Sequence, residues 1–257
     1  MVLLKLLILF FSINHSFAKS QPLCSIYLND LALNQRLIKS NFNTFRDVAA
    51  YEHHLYGLIK LLNRLDSVEG SEWIDLGSGK NLAIASYFSI YKSEERSKLH
   101  ATGITYRIPI DRGFNHILPD EGNFKSIVGR FFEDIPISEL PKADIITDVF
   151  GPLSYSTHRF REALILAITI LKDQGVLYIN NGALDLDALT WFFYNGEKLN
   201  LFEFLSTIEG LNIAESAVGV GIKITKTSKF DINSIPNFEL LESNDGSPPF
   251  RIYKVNK

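Results

Sequence analysis

The chain is poor in cysteine and has no long run of like charge. Its single cysteine, Cys24, excludes an intramolecular disulfide and a metal site built from several cysteines. The formal net charge is −3, and no block of either sign stands out. This distribution indicates neither a nucleic-acid groove nor an acidic tail. The chain also lacks internal repeats and low-complexity tracts, which excludes repeat architectures.

The length and hydrophobic content predict one sizeable core. The chain has 257 residues, of which 46% are hydrophobic. That is enough for a single α/β domain preceded by an N-terminal extension. We place the domain at residues 71–257 and the extension at residues 19–70, after a leader over residues 1–18.

Residues 1–18 have the features of an export leader. Lys5 is the only charge, Leu6–Phe11 is an apolar run, and Ser16–Ala18 offers small residues for cleavage before Lys19. The run is too short to span a bilayer. We therefore expect a periplasmic or secreted protein with no stable membrane span after cleavage. The alternative is an uncleaved anchor or a misassigned start, which would leave the protein membrane-anchored or cytoplasmic.

The extension is predicted to be helical. Two apolar stripes of helical period occur between residues 24 and 68. His53 and His54 lie in the second stripe. Adjacent residues point about 100° apart on a helix, so these two histidines are not placed to share a metal, and no metal site is predicted.

A strand, a glycine turn and a helix follow one another from Glu72 onward. Glu72–Leu76 is a short apolar strand that carries an acid, Asp75, near its end. Gly77 and Gly79 allow a sharp turn that lies flat against a ligand. The next helix begins near Asn81 and points its free N–H groups at this turn. Such a turn suits a nucleotide-like ligand, and the carboxylate favours one with donors or positive charge.

Strands and helices alternate beyond this turn, which predicts a parallel sheet with helices on both faces. In such sheets, ligands bind at the carboxyl ends of the strands, near the point where the strand order reverses. Residues 184–206 are predicted to form one or two helices, with the aromatic residues 191–194 anchoring a helix or lining a pocket. Further strands are predicted at about 99–105, 125–129, 144–149, 176–180, 211–215, 217–226 and 250–255.

The turn resembles the first motif of class I S-adenosylmethionine-dependent methyltransferases, through Asp75, Leu76, Gly77, Ser78 and Gly79. Where the family often has a third glycine, this chain has Asn81. The resemblance implies a doubly wound, mostly parallel seven-stranded sheet that closes with an antiparallel C-terminal hairpin. It also implies S-adenosylmethionine as cofactor, an unidentified methyl acceptor, and a lid formed by the extension.

The resemblance assigns a place around the cofactor to residues at four strand ends. Thr105 would lie at the ribose, although nucleotide-binding sheets usually carry an acid there. Glu133 or Asp134 would accept from the adenine amino group, with Phe131 or Phe132 stacking on the ring. Asp148 would lie near the sulfonium end, unless it is a buried acid that caps a helix or pairs with an arginine. The implied cofactor-binding residues are Asp75, Gly77, Ser78, Gly79, Asn81, Thr105, Glu133, Asp134 and Asp148.

A catalytic residue is not assigned, because the cofactor carries the chemistry and methyl transfer often needs no general base. His158, at a predicted helix start, is a candidate for handling a proton. The predicted export favours a second hypothesis, an exported binding domain that keeps the fold without catalysis. A nicotinamide-dependent oxidoreductase fits worse, since the glycine pattern is short and Thr105 is not an acid. A serine hydrolase would need a Gly-x-Ser-x-Gly turn, which the chain lacks.

Overall fold

The described part of the molecule lies mainly in the predicted domain. The computed structural model describes residues 51, 55, 71–79, 81–90, 99–106, 123–156, 159–180, 190–215, 221–244 and 250–256. The predicted leader, most of the predicted lid, and His53, His54 and His158 lie outside the described residues. None of the helices in these ranges is long and apolar enough to cross a bilayer.

Eleven strands and three α-helices are seen in the described ranges. The helices are α1 (Leu82–Ile90), α2 (Phe160–Ile170) and α3 (Leu201–Ser206). The strands are β1 (Glu72–Leu76), β2 (His100–Thr105), β3 (Phe124–Val128), β4 (Ala143–Asp148), β5 (Leu171–Asn180), β6 (Thr190–Tyr194), β7 (Glu197–Asn200), β8 (Leu211–Glu215), β9 (Gly221–Lys226), β10 (Asn237–Asn244) and β11 (Phe250–Asn256).

Seven strands form a mixed, mostly parallel sheet in the order β3-β2-β1-β4-β5-β9-β8. Strands β1 to β5 are parallel to one another, whereas β9 is antiparallel to both β5 and β8. The predicted parallel sheet and its closing antiparallel hairpin are therefore confirmed. The strand order reverses between β1 and β4, so the carboxyl ends of these two strands flank the switch point.

Because side chains alternate along each strand, both faces of this sheet carry apolar side chains. Trp73 points to the face covered by α1, where its ring meets Tyr87 edge-on at 6.2 Å. Buried Tyr51 and Leu55, from the predicted lid, join the same apolar cluster. Ile74 points to the opposite face, which α2 covers. Helices thus lie on both faces of the described sheet.

A second, four-stranded sheet, in the order β10-β11-β6-β7, corrects the predicted architecture. Residues 190–200 form a hairpin, and α3 is the only described helix in the range where one or two helices were predicted. The turn residues Asn195 and Gly196 both have positive φ, at 52° and 87°. An Asn-Gly pair between apolar runs is a strong hairpin signal, which the helical interpretation overlooked. The predicted last strand, here β11, belongs to this second sheet instead of the main one.

A cluster of aromatic rings joins the second sheet to α2. Phe192 lies at its centre, with its ring stacked on Phe204 at 3.8 Å and on Tyr253 at 5.4 Å. Phe160 of α2 and Phe238 of β10 complete the cluster. Because a strand alternates its side chains, the neighbouring Phe193 points away and is 39% exposed. The anchoring interpretation of residues 191–194 therefore holds for Phe192, on a strand rather than a helix.

This alternation predicts that alanine substitutions at two adjacent phenylalanines lower the stability by very different amounts. Phe192→Ala should lower the free energy of unfolding by about 3–5 kcal/mol, because it empties the centre of a packed cluster. Phe193→Ala should change it by about 1 kcal/mol or less, because that ring lies outside the cluster and is 39% exposed. Urea denaturation of both variants measures the difference. Similar losses for the two variants would contradict the strand assignment.

Candidate active site at the switch point

The turn between β1 and α1 is held against β2. The Ser78 amide donates to the Ile104 carbonyl at 3.0 Å, and the Asn81 amide donates to the Ser78 carbonyl at 2.8 Å. Gly77 and Gly79 have φ values of 71° and 55°, in the left-handed region that glycine tolerates. Asn81 has a φ of 57°, and asparagine is one of the few other residues that enter this region readily. The turn therefore has the shape that its glycines predict.

Two loops touch backbone to backbone at the switch point. A Cβ on Gly77 would lie 2.5 Å from the Gly151 Cα, and a Cβ on Gly151 would lie 2.6 Å from the Leu76 carbonyl oxygen. Both distances are too short for any side chain, so both positions require glycine. Gly151 was not predicted as a site residue. The contact shows that it also closes the floor of the cleft between β1 and β4.

Asp75 is fully buried, and each of its carboxylate oxygens accepts a hydrogen bond from a hydroxyl. Tyr51 donates to Oδ2 at 2.8 Å, and Thr147 donates to Oδ1 at 2.8 Å. The Trp73 indole N–H donates to the Thr147 Oγ1 at 2.9 Å and completes a buried network. The parallel register pairs Asp75 with Thr147 on adjacent strands. Tyr51 and Thr147 were missed as site residues, because only the fold brings them to the acid.

Ser78 and Asn81 place two polar atoms at the base of the turn. Both side chains are over nine-tenths buried. The Asn81 Nδ2 donates to the Ser126 Oγ at 3.2 Å. The Ser78 Oγ and the Asn81 Oδ1 have no hydrogen-bond partner among the described residues. Buried polar atoms normally have partners, so this pair marks a place where a ligand group or a water would be held.

Gly103 makes room for this pair. A Cβ on Gly103 would lie 1.9 Å from the Asn81 Oδ1 and 3.0 Å from the Ser78 Oγ. Both oxygens therefore lie close to the Gly103 backbone on β2. A side chain at residue 103 would displace the Asn81 carboxamide. Gly103 was not predicted as a site residue, since a glycine within a strand also occurs at bulges and tight bends.

The ends of β2 and β3 meet through two aromatic rings. Thr105 is buried, and its carbonyl accepts from the Gly129 amide at 2.9 Å. The next residue, Tyr106, stacks on Phe131 with ring centroids 5.1 Å apart and planes 11° apart. Phe132 is buried in the core on the α2 face instead. Phe131, rather than Phe132, is therefore the ring at the cleft edge.

Glu133 and Asp134 lie on a 3₁₀ turn after β3. Asp134 forms a partly exposed ion pair with Arg159, the residue before α2. Glu133 is half-buried in the same turn. Asp134 thus has a structural partner, and the contact of either acid with an adenine stays a prediction. The described residues contain no cluster of His, Cys, Asp and Glu that could hold a metal.

Asp148 caps the loop that follows β4. Its carboxylate accepts from the amides of Gly151 at 3.0 Å, Leu153 at 2.8 Å and Ser154 at 3.2 Å, and from the Ser154 hydroxyl at 2.5 Å. Burial raises the pKa of Asp148 to about 6, although these hydrogen bonds act in the opposite direction. The carboxylate therefore holds the loop, as the capping alternative expected.

Backbone strain is also concentrated here. Phe150, two residues after the end of β4, has a φ of 59°, which is unusual for a bulky residue. Within the described ranges, the other non-glycine residues with positive φ are Asn81, at this site, and Asn195, in the hairpin turn. Such conformations cost free energy and cluster at functional sites, where the surrounding structure holds them.

Most of the predicted residues meet at one sheet edge. Gly77, Ser78, Gly79 and Asn81 form the turn, with Asp75 near the end of β1 and Asp148 at the end of β4, where it caps the facing loop. Thr105 lies at the adjacent end of β2, whereas Glu133 and Asp134 lie farther along, after β3. Their contacts with a cofactor stay predictions, as does the identity of any catalytic group.

Comparisons with known proteins show similarity to solved structures but no match in sequence. No protein-family description and no curated protein sequence matches the chain. A TehB-like S-adenosylmethionine-dependent methyltransferase from Corynebacterium glutamicum is 17% identical, with a TM-score of 0.42 over 65% of this chain and 86% of that chain. Precorrin-6y C5,15-methyltransferase from Geobacter metallireducens is 14% identical, with a TM-score of 0.40 over 70% of this chain and 88% of its own. The methyltransferase CalO1, of calicheamicin biosynthesis, was solved with S-adenosylhomocysteine bound. It is 13% identical, with a TM-score of 0.38 over 70% of this chain and 54% of its own.

The main sheet has the architecture that the methyltransferase resemblance implies. The three solved structures are methyltransferases. At these low identities and TM-scores, the functional inference rests on the strand order and side-chain contacts of this chain.

The close packing of Asn81 on Gly103 predicts that a substitution at residue 81 compensates for one at residue 103. Gly103→Ala should lower the free energy of unfolding by about 1–3 kcal/mol, because its methyl group overlaps the Asn81 carboxamide. Asn81→Gly should recover most of that loss, since removing the carboxamide frees the space. Thermal or urea denaturation of the single and double variants measures the coupling.

Gly175→Ala is the matched control for this pair. Its Cβ would lie 2.8 Å from the Ala143 carbonyl oxygen, on another part of the sheet. Asn81→Gly should therefore leave the cost of Gly175→Ala unchanged. Equal recovery in both backgrounds would mean that Asn81→Gly simply stabilises the protein.

The raised pKa of Asp148 predicts a pH-dependent stability. Since the folded-state pKa of about 6 exceeds the ordinary value of 3.8, the folded protein binds the extra proton more tightly than the unfolded chain. This group's contribution is full below about pH 4 and is lost as the pH rises through 6. The difference in unfolding free energy between wild type and Asp148→Asn should grow by about 2–3 kcal/mol between pH 7 and pH 4. A difference that does not vary with pH would contradict this.

Proposed function

We propose that the chain binds S-adenosylmethionine at the switch point and transfers its methyl group to an acceptor. The observation that carries this is the glycine turn at the switch point, where the buried Ser78 Oγ and Asn81 Oδ1 lack a partner among the described residues. A turn of this kind, next to a helix N-terminus, suits a nucleotide-like ligand with a polar end group.

In this proposal, the parts of the cofactor follow one another along the sheet edge. The amino-acid portion would lie at residues 77–81 and the ribose beside Thr105. The base would lie near the Tyr106–Phe131 pair, with Glu133 as acceptor for its amino group. Thr105 offers one hydroxyl where an acid would accept from both ribose hydroxyls, so we expect weaker ribose binding than an acid would give.

In methyl transfer, the protein mainly positions the cofactor and the acceptor, and often supplies no acid or base. The cofactor supplies an electrophilic methyl group on a sulfonium sulfur. The turn after β1 and the loop after β4 would orient it, and the Gly77–Gly151 contact would close the floor against water. Asp148 would act by holding the loop, since four donors already occupy its carboxylate. The acceptor is unidentified.

The second candidate is a binding domain that keeps the fold without catalysis. Thr105 in place of an acid favours it, and so does the direct stacking of Tyr106 on Phe131, since a base would have to part those rings to lie between them. The predicted export also favours it, because little of the cofactor is expected outside cells. An exported protein that acts inside another cell would reconcile export with catalysis.

Calorimetric titration of S-adenosylhomocysteine into the full chain tests the proposal. We expect binding in the micromolar range. Gly79→Asp should weaken it at least tenfold, because a side chain and a negative charge enter the surface that faces the ligand. Gly196→Asp is the matched control: it also places aspartate at a positive φ, but in the hairpin turn of the second sheet.

Two results separate the candidates. If wild type and Gly79→Asp bind S-adenosylhomocysteine with equal affinity, the glycine turn is not part of the binding site. If the folded wild-type protein does not bind the ligand at millimolar concentration, the methyltransferase proposal is rejected and the binding-domain hypothesis is favoured. Folding is checked by circular dichroism on the same samples.

A further inference from the structure

The second sheet packs one face on α2 and turns the other face away from it. Phe192 points into the aromatic cluster, so its neighbours Trp191 and Phe193 point to the opposite side. The Lys198 amino group lies 4.2 Å from the centre of the Trp191 ring, so it shares that side. We call this side the outer face, and the strand register assigns to it Trp191, Phe193, Lys198, Glu239, Ile252 and Lys254.

The strand register arranges the side chains of the outer face in rows. The first row runs across β7, β6, β11 and β10 and reads Lys198, Phe193, Lys254 and Glu239. Phe193 is one of three large apolar side chains that the described residues expose, and the three charged residues are exposed as well. Among the ion pairs of the described ranges, none involves these three charges. The row is therefore basic on β7 and β11 and acidic on the edge strand β10.

The second row is apolar at its centre. It places Trp191 on β6 and Ile252 on β11, with Glu242 on β10. Trp191 and Ile252 are both half-buried, so each leaves apolar surface exposed. An apolar centre with charges around it is the usual composition of a surface that binds another protein.

Two-fold symmetry makes the outer face complementary to itself. A two-fold axis that lies parallel to the strands, between β6 and β11, stacks a second copy face to face and reverses the order of each row. Lys198 then faces Glu239 of the second copy, and the Phe193 ring faces Lys254 of the second copy. In the other row, Trp191 faces Ile252 of the second copy. These are an opposite-charge pair, a cation–π pair and an apolar pair.

The other face-to-face arrangement is less favourable. A two-fold axis parallel to the rows would stack each strand on its own copy and place one row against the other. Glu239 would then face Glu242, and Lys254 would face Ile252. Like charges that face each other oppose association, so the charge pattern favours the axis parallel to the strands.

We propose that the outer face of the second sheet binds a second copy of this chain, in a two-fold symmetric dimer whose axis is parallel to the strands. Four strands spaced about 4.8 Å apart span only about 19 Å, which is small for a permanent interface. The dimer is therefore weak, and it forms reversibly with rising protein concentration. The proposal is independent of methyl transfer, because it rests on the second sheet alone.

Sedimentation equilibrium of the full chain over a series of concentrations tests the proposal. We expect wild type to dimerise with a micromolar dissociation constant and to dissociate more readily at high salt, which screens exposed charges. Lys198→Glu and Glu239→Lys should each weaken dimerisation at least tenfold, because each change places two pairs of like charges across the interface. Circular dichroism of the same samples shows whether each variant is folded.

An equimolar mixture of the two variants gives the decisive result. When Lys198→Glu meets Glu239→Lys, both facing pairs again have opposite charges, so the mixture should dimerise about as well as wild type. Damage to the fold of either variant would not be repaired by mixing. Glu197→Lys and Lys229→Glu are the matched controls, since both residues are exposed and lie outside the outer face. Each control should dimerise like wild type.

Three results would contradict the proposal. A wild-type chain that stays monomeric at about 500 μM would rule out this dimer, since a micromolar dissociation constant predicts almost complete dimerisation there. A dimer that neither charge reversal weakens would use another surface. Weak dimerisation of both variants without recovery in the mixture would exclude the pairing of Lys198 with Glu239.

Discussion

The buried carboxylate of Asp75 is the constraint on which the site depends. Moving a carboxylate into an apolar sheet is costly unless hydrogen-bond donors replace the lost water. Here the donors are Tyr51 and Thr147, and Trp73 in turn orients Thr147. These bonds favour the register that pairs β1 with β4, and they tie residue 51 to the strand beneath the glycine turn. The acid thus stabilises the geometry at the switch point.

The facing loop is built on the same principle. Asp148 is also a buried acid, and the donors around it are three amides and a hydroxyl of the loop that it caps. The loop can approach the turn after β1 only because Gly77 and Gly151 have no side chains. Two buried acids and two glycines therefore define the floor of the cleft, and the polar atoms of Ser78 and Asn81 lie beside it.

The second sheet stabilises this arrangement from outside. Its first strand begins at Thr190, whose hydroxyl donates to the Ser154 carbonyl in the loop capped by Asp148, at 3.1 Å. On the adjacent strand β11, Tyr253 packs with Phe192 against Phe160 of α2. The aromatic cluster and the capped loop are thus coupled through β6, so the loop does not depend on its own hydrogen bonds alone.

The main sheet and the glycine turn at its switch point could be predicted from the sequence. Apolar strands alternating with helices allow few arrangements, and Gly77 and Gly79 have a local conformational reason to be where they are. The sequence did not determine the hairpin at residues 190–200, although Asn195-Gly196 signalled a turn, because aromatic runs are compatible with helix or strand. Only the tertiary structure decided the partners of Asp75 and Asp148 and the fit of Asn81 over Gly103. These depend on strand register and on contacts between residues distant in the chain, which local patterns do not encode.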